Sequence, residues 1–156
     1  MNVKLIDRPD VEVVYLRHTG PYGAPLLRFW QQVVYPWMAT NDLLGLPRYG
    51  ISLDDPTVTS PEQCRYDAAI EMGAEIVLAG KPMRRTIAGG RYAALPFQGL
   101  VTDIAGAWDA LLRDWLPNSG LQLDSRPFFE YYDPAARFDT RTGAFECDLC
   151  VPVTPL

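Results

Sequence analysis

Leu26-Leu27-Arg28-Phe29-Trp30-Gln31-Gln32-Val33-Val34-Tyr35-Pro36-Trp37 has a partner later in the chain, Ile104-Ala105-Gly106-Ala107-Trp108-Asp109-Ala110-Leu111-Leu112-Arg113-Asp114-Trp115. The apolar positions Leu26, Trp30, Val33, Val34 and Trp37 are spaced 4, 3, 1 and 3 apart, the stripe of an amphipathic helix. Ile104, Trp108, Leu111, Leu112 and Trp115 repeat it, each 78 residues on. Asp55-Pro56 recurs at the same offset as Asp133-Pro134, in each case just past a short strand-like run. After an insertion of three residues, Cys64-Arg65-Tyr66-Asp67-Ala68-Ala69-Ile70 is echoed by Phe145-Glu146-Cys147-Asp148-Leu149-Cys150-Val151, with Asp67 aligned to Asp148. Two helices can share a stripe by chance, but helix, Asp-Pro and following strand in one order point to a tandem duplication.

Each half reads as strand, helix, strand, strand. The first has a strand at Val11 to Arg17, a turn at Gly20-Pro21-Tyr22-Gly23, a helix from about Pro25 to about Asn41, and strands at Tyr49 to Leu53 and Arg65 to Glu71. Pro36 is expected to kink or shorten that helix. The second has strand material from Arg84 to Pro96 broken at Gly89-Gly90, a helix capped by Thr102 and stopped by Pro117, and strands at Phe128 to Tyr132 and Phe145 to Val153. Glu71 to Pro82 reads as the linker. The expected class is α+β: one domain over 1–156, with repeats of about 3–71 and 84–153, one helix in each, and a cleft at the pseudo-twofold seam, where pockets form.

One carboxylate stands out at that seam. In Arg126-Pro127-Phe128-Phe129-Glu130-Tyr131-Tyr132-Asp133-Pro134, alternation sends Phe128, Glu130 and Tyr132 to one face and Phe129 and Tyr131 to the other. Either Glu130 is simply solvated above a Phe129/Tyr131 core, or it is held between rings, where burial is costly until a partner answers its charge. The position equivalent to Glu130 in the first half is Ser52, so the second half alone supplies the carboxylate.

Composition narrows the possible functions. The chain has 156 residues, a net charge of −5 and no basic cluster beyond Arg84-Arg85, which argues against direct nucleic-acid binding. It has no apolar run of about 18 residues and no basic, apolar-cored leader, so no membrane contact and a cytoplasmic location are expected. Cys147 and Cys150 have the spacing of a metal or redox pair, but residues three apart on a strand face opposite sides, and His18 is the sole histidine. No metal and no cofactor is expected. His18 reads as a turn residue, Tyr66 as a packing residue, and the four tryptophans as mostly core.

Taken together, Leu16-Arg17-His18-Thr19-Gly20-Pro21-Tyr22, Tyr49-Gly50-Ile51-Ser52-Leu53-Asp54-Asp55-Pro56, Cys64-Arg65-Tyr66-Asp67, Gly89-Gly90-Arg91-Tyr92-Ala93, Trp115-Leu116-Pro117 and Phe129-Glu130-Tyr131-Tyr132 resemble the GyrI-like family. That family includes the bacterial DNA gyrase inhibitory protein and the effector-binding domains fused to AraC-type and MerR-type regulators. The resemblance covers nearly the whole chain and implies a curved antiparallel sheet with two helices and a central cleft, in a stand-alone module that binds small lipophilic, planar or cationic molecules. It places the family's pocket glutamate on Glu130 and the tyrosines of its motifs on Tyr132 and Tyr92. With Phe128 and Trp108 these make the expected ligand site, since aromatic faces attract a cation by about 0.5 to 2 kcal/mol each. Two further readings follow from the resemblance. One is a hydrolase of strained cyclopropane rings, with Glu130 as general base and Tyr92 or Tyr132 as proton donor. The other is a protein partner, DNA gyrase.

Overall fold

A computed structural model describes residues 1–73, 78, 80 and 82–156. Nine strands are present among them: β1 (Lys4–Arg8), β2 (Val11–Thr19), β3 (Arg48–Ser52), β4 (Arg65–Glu71), β5 (Met83–Ile87), β6 (Gly90–Gly99), β7 (Leu121–Leu123), β8 (Phe129–Tyr132) and β9 (Phe145–Pro155). One helical arm runs from α1 (Ala24–Phe29) through a π-helical segment (Trp30–Val34) into α2 (Tyr35–Thr40). The other runs from α3 (Ile104–Asp109) into a π-helical segment (Ala110–Trp115). The linker expected from Glu71 to Pro82 lies in part outside the described residues.

All strand pairings are antiparallel, and the sheet order is β1-β6-β9-β8-β3-β4-β2-β5, with β7 added on β9. The order reads the same from either end once the halves are exchanged. The two halves join where β3 lies against β8, with Gly50 opposite Glu130, Tyr49 opposite Tyr131 and Arg48 opposite Tyr132. β1 and β5 cross over: β1 pairs with β6 of the second half, and β5 pairs with β2 of the first. β1 and β7 are strands that local pattern did not announce. Lys4–Arg8 is too exposed to alternate cleanly, and Leu121–Leu123 is only three residues long.

Pro36 does not shorten its helix. A proline lacks the N–H an α-helix needs and its ring presses on the carbonyl four residues back. The chain meets this with a wide turn just before it: the Tyr35 N–H bonds to the Trp30 carbonyl, five residues earlier. The second arm does the same one residue before Pro117, with the Leu116 N–H on the Leu111 carbonyl. The extra residue per turn rotates the stripe, so Trp30, Val34 and Met38 are buried whereas Val33 is exposed. Thr102 is not the cap expected of it; α3 begins after Asp103, whose carboxylate accepts from the Leu100 N–H instead.

The two arms lie on one face of the sheet. The first packs Trp30, Val34 and Met38 against Val14, Tyr66, Ala68 and Ile70. The second packs Leu111 against Ala93, Leu95, Cys147, Leu149 and Val151. The opposite face of the curled sheet encloses a third cluster of Val11, Val13, Tyr49, Ile51, Ile87, Tyr92, Phe129 and Cys150. Cys147 and Cys150 therefore lie on opposite faces. On the helix-free side Asp67, 0 % exposed, is held by Arg17 through two bonds of 2.7 and 3.0 Å and by Arg85 at 3.3 Å.

Candidate functional site

Glu130 sits on the helix-bearing face of β8, at the seam between the two arms, and is only 7 % exposed. Its neighbour Phe129 is buried against Tyr49 and Tyr92 on the other face. Both faces of this strand are covered, so the carboxylate is not a solvated residue above a core. Its Oε1 accepts from the Tyr66 hydroxyl at 2.8 Å and from the Tyr132 hydroxyl at 2.9 Å. The indole N–H of Trp30 donates in turn to the Tyr66 hydroxyl at 3.0 Å. The Trp30 ring also leans on Tyr132 and Tyr35, at 5.6 and 5.9 Å between centroids.

Backbone shape makes this cluster possible. Gly50 lies across from Glu130, and a Cβ there would collide with the Tyr66 hydroxyl and with Glu130 Oε1. A glycine at that one position lets a carboxylate and a phenol from flanking strands meet over β3.

The electrostatics follow from burial. Desolvation raises the Glu130 carboxyl from its ordinary 4.5 to about 7, while the two tyrosine hydroxyls, which favour the ionised form, pull it back. Burial and the Glu130 charge push the Tyr66 and Tyr132 phenols well above their usual value, so both remain hydrogen-bond donors. Burial first and the Glu130 charge second also raise the Cys147 thiol. Among the described residues no Lys, Arg or His forms an ion pair with Glu130. The arrangement can hold a proton near neutral pH, or accept a cation in its place.

The residues singled out from sequence do not all gather here. Tyr132 touches Glu130 directly. Phe128 and Trp108 stack on each other at 6.1 Å in the second arm's core, which Tyr132 joins. Tyr92 is elsewhere: it lies on the helix-free face, donates to the Ala88 carbonyl at 2.6 Å, and carries the Arg126 guanidinium 4.6 Å above its ring. It belongs neither to a Glu130 ligand site nor to a Glu130 acid–base pair, because the sheet stands between them. Tyr66 is more than a packing residue, and Trp30 is more than core. The repeat register held the signal for Tyr66, since its aligned partner Cys147 also faces Glu130. His18 lies at its turn, with Nε2 3.2 Å from the Pro21 carbonyl. Among the described residues, a cavity of about 420 Å³ beside Arg126 and another of about 520 Å³ beside Tyr131 and Asp148 are not lined by Glu130.

The chain is thus a half-barrel sheet carrying two helical arms, with a carboxylate buried at the seam between its halves. The GyrI-like small molecule binding domain family matches residues 1–154, and the chain belongs to that family. It is 28 % identical over 162 residues to the "Probable transcriptional regulator YgiV" of Escherichia coli (strain K12), covering 98 % of this chain and 96 % of that one. It is 25 % identical to the "DNA gyrase inhibitor" of Pantoea sp. (strain At-9b), covering all of both. The structure of SAV2435 bound to tetraphenylphosphonium superposes with a TM-score of 0.64 at 19 % identity, over 99 % of this chain and 94 % of that one. No helix among the described residues is long and apolar enough to cross a membrane.

Proposed function

We propose that this chain binds lipophilic cationic or planar molecules at Glu130, with Trp30, Tyr66 and Tyr132 parting to admit them. The observation that carries this is a carboxylate buried among aromatic rings, held near neutrality by burial, with no cationic side chain answering it among the described residues. A cationic ligand supplies the missing charge, and the rings of Trp30, Tyr35 and Tyr132 supply apolar and cation–π surface. The binding of tetraphenylphosphonium named for SAV2435 suggests the kind of cation to try first.

Tetraphenylphosphonium titrated by calorimetry at pH 5 and pH 8 tests the proposal. The cation competes with the Glu130 proton, so wild type is expected to bind it more tightly at pH 8, by up to about 90-fold if only the ionised carboxylate accepts it. Glu130→Gln is expected to bind weakly at both pH values. Equal affinity for the two proteins, or affinity independent of pH, overturns the proposal.

A hydrolase reading draws on the same group, because a carboxyl that titrates near 7 is suited to act as a general base. Its proton donor would be Tyr132 or Tyr66 rather than Tyr92. Incubation with a strained cyclopropane electrophile, followed by mass analysis, decides it: recovery with one water added supports turnover, and recovery unchanged supports binding alone.

A further inference from the structure

Arg48 is a buried cation with no anionic partner among the described residues. It is 9 % exposed, and it lies opposite Tyr132 and two residues before Gly50, so it shares the helix-bearing face with Glu130. Its guanidinium lies 5.5 Å from the Tyr35 ring centroid and 6.0 Å from that of Tyr132. Among the described residues, its side chain donates one hydrogen bond, from Nη1 to the Tyr35 hydroxyl at 3.3 Å. Among the described residues, Arg48 Nε is the buried side-chain nitrogen or oxygen that has no partner.

Several other partly buried charges are answered. Asp67 has Arg17 and Arg85, and Arg126 has Asp124 and backbone carbonyls. Arg17 and Arg65 grip Asp67 and Asp54 through the paired Nε and Nη2 edge, at 2.7 and 3.0 Å and at 2.9 and 3.0 Å. That is the edge Arg48 leaves unused, since Tyr35 occupies only Nη1. Buried guanidinium groups are stable when a planar anion takes two parallel N–H donors. Arg48 and Glu130 are both unanswered, both reach Tyr132, and form no ion pair with each other.

We infer that Arg48 is the second anchor of the binding site and takes a carboxylate of the ligand, so that the ligand class is amphoteric: an aromatic lipophile with a cationic end for Glu130 and an acid group for Arg48. The inference rests on the proposed binding at Glu130. It adds a selectivity that a lone pocket carboxylate does not provide, because a purely cationic molecule leaves the Arg48 edge unpaired, and leaving a buried donor unpaired discriminates strongly between ligands.

Rhodamine B, a zwitterion with a free carboxylate, and its ethyl ester differ at that group alone and serve as probes in anisotropy titrations at pH 8. Wild type is expected to bind the acid about tenfold more tightly than the ester. Arg48→Met is expected to lose the preference while binding the ester within about threefold of wild type, and Arg48→Lys to keep part of it as a point charge. The wild-type comparison decides the matter even if a variant fails to fold. Tetraphenylphosphonium bound with no preference for acid over ester overturns this inference alone. Failure of tetraphenylphosphonium and both dyes to bind overturns the Glu130 reading and this inference with it.

Discussion

Glu130→Gln should make the protein more resistant to alkaline pH than wild type, and the structure sets the size of the effect. The folded state holds the Glu130 proton up to about 7, whereas the unfolded chain releases it near 4.5. Between those values the folded state binds more protons, so wild-type stability falls as pH rises through the window, and the loss is complete above about 7. At 1.36 kcal/mol per unit this amounts to about 3 kcal/mol. The glutamine carries no titrating proton, and its carbonyl oxygen can still accept from Tyr66 and Tyr132. The difference in unfolding free energy between variant and wild type should therefore shift by about 3 kcal/mol in the variant's favour from pH 4 to pH 8.5. For a domain of this size that corresponds to about 6 to 12 °C in Tm. Thermal unfolding followed by tryptophan fluorescence at pH 4, 5.5, 7 and 8.5 and constant ionic strength reads it. Using the variant as reference cancels every other titrating group. Parallel pH curves for the two proteins would refute the burial argument for Glu130.

Three other perturbations probe neighbouring parts of the structure. Tyr66→Phe removes one of two donors to Glu130 and leaves the Trp30 N–H without its acceptor, so it should cost about 1 to 3 kcal/mol in urea unfolding and move the pH transition of stability to higher pH. Asp67→Asn uncovers Arg17 and Arg85 around a fully buried position and should cost about 3 kcal/mol, readable in the same denaturation assay; a change below about 0.5 kcal/mol would contradict the role given to that triad. Burial raises the Cys147 thiol and pushes Cys150 up to about 12, so neither should react with Ellman's reagent at pH 8 until urea unfolds the chain.

Glu130 also marks where the two halves of the repeat differ. The seam pairs Gly50 with Glu130, so the first half contributes space where the second contributes charge. Tyr66 comes from the first half and Tyr132 from the second, and both bond to the same carboxylate oxygen. In the binding proposed above, parting the halves at that oxygen is the step the ligand drives.

Local chemistry determined much of this protein. The helical stripes through Trp30 and Trp108, the Asp-Pro pairs and the aromatic strand around Glu130 were legible because periodicity and turn residues act over a few positions. The α+β class with two helices followed from them, and the curved sheet from the resemblance to the GyrI-like family. Tertiary structure alone decided which strand face the helices cover, and that choice separates Tyr92 from Glu130 while bringing Tyr66 to it. Alternation says that two residues differ in face, but not which face is packed by what. The crossing of β1 and β5 depends on pairing between distant segments, to which local pattern is blind. Arg48 was silent in sequence for the same reason: an arginine before Tyr49 looks like any strand residue until Tyr35, from the helical arm, and Tyr132, from across the seam, close over it. Burial turns an ordinary charge into a demand for a partner, and burial is a property of the assembled fold.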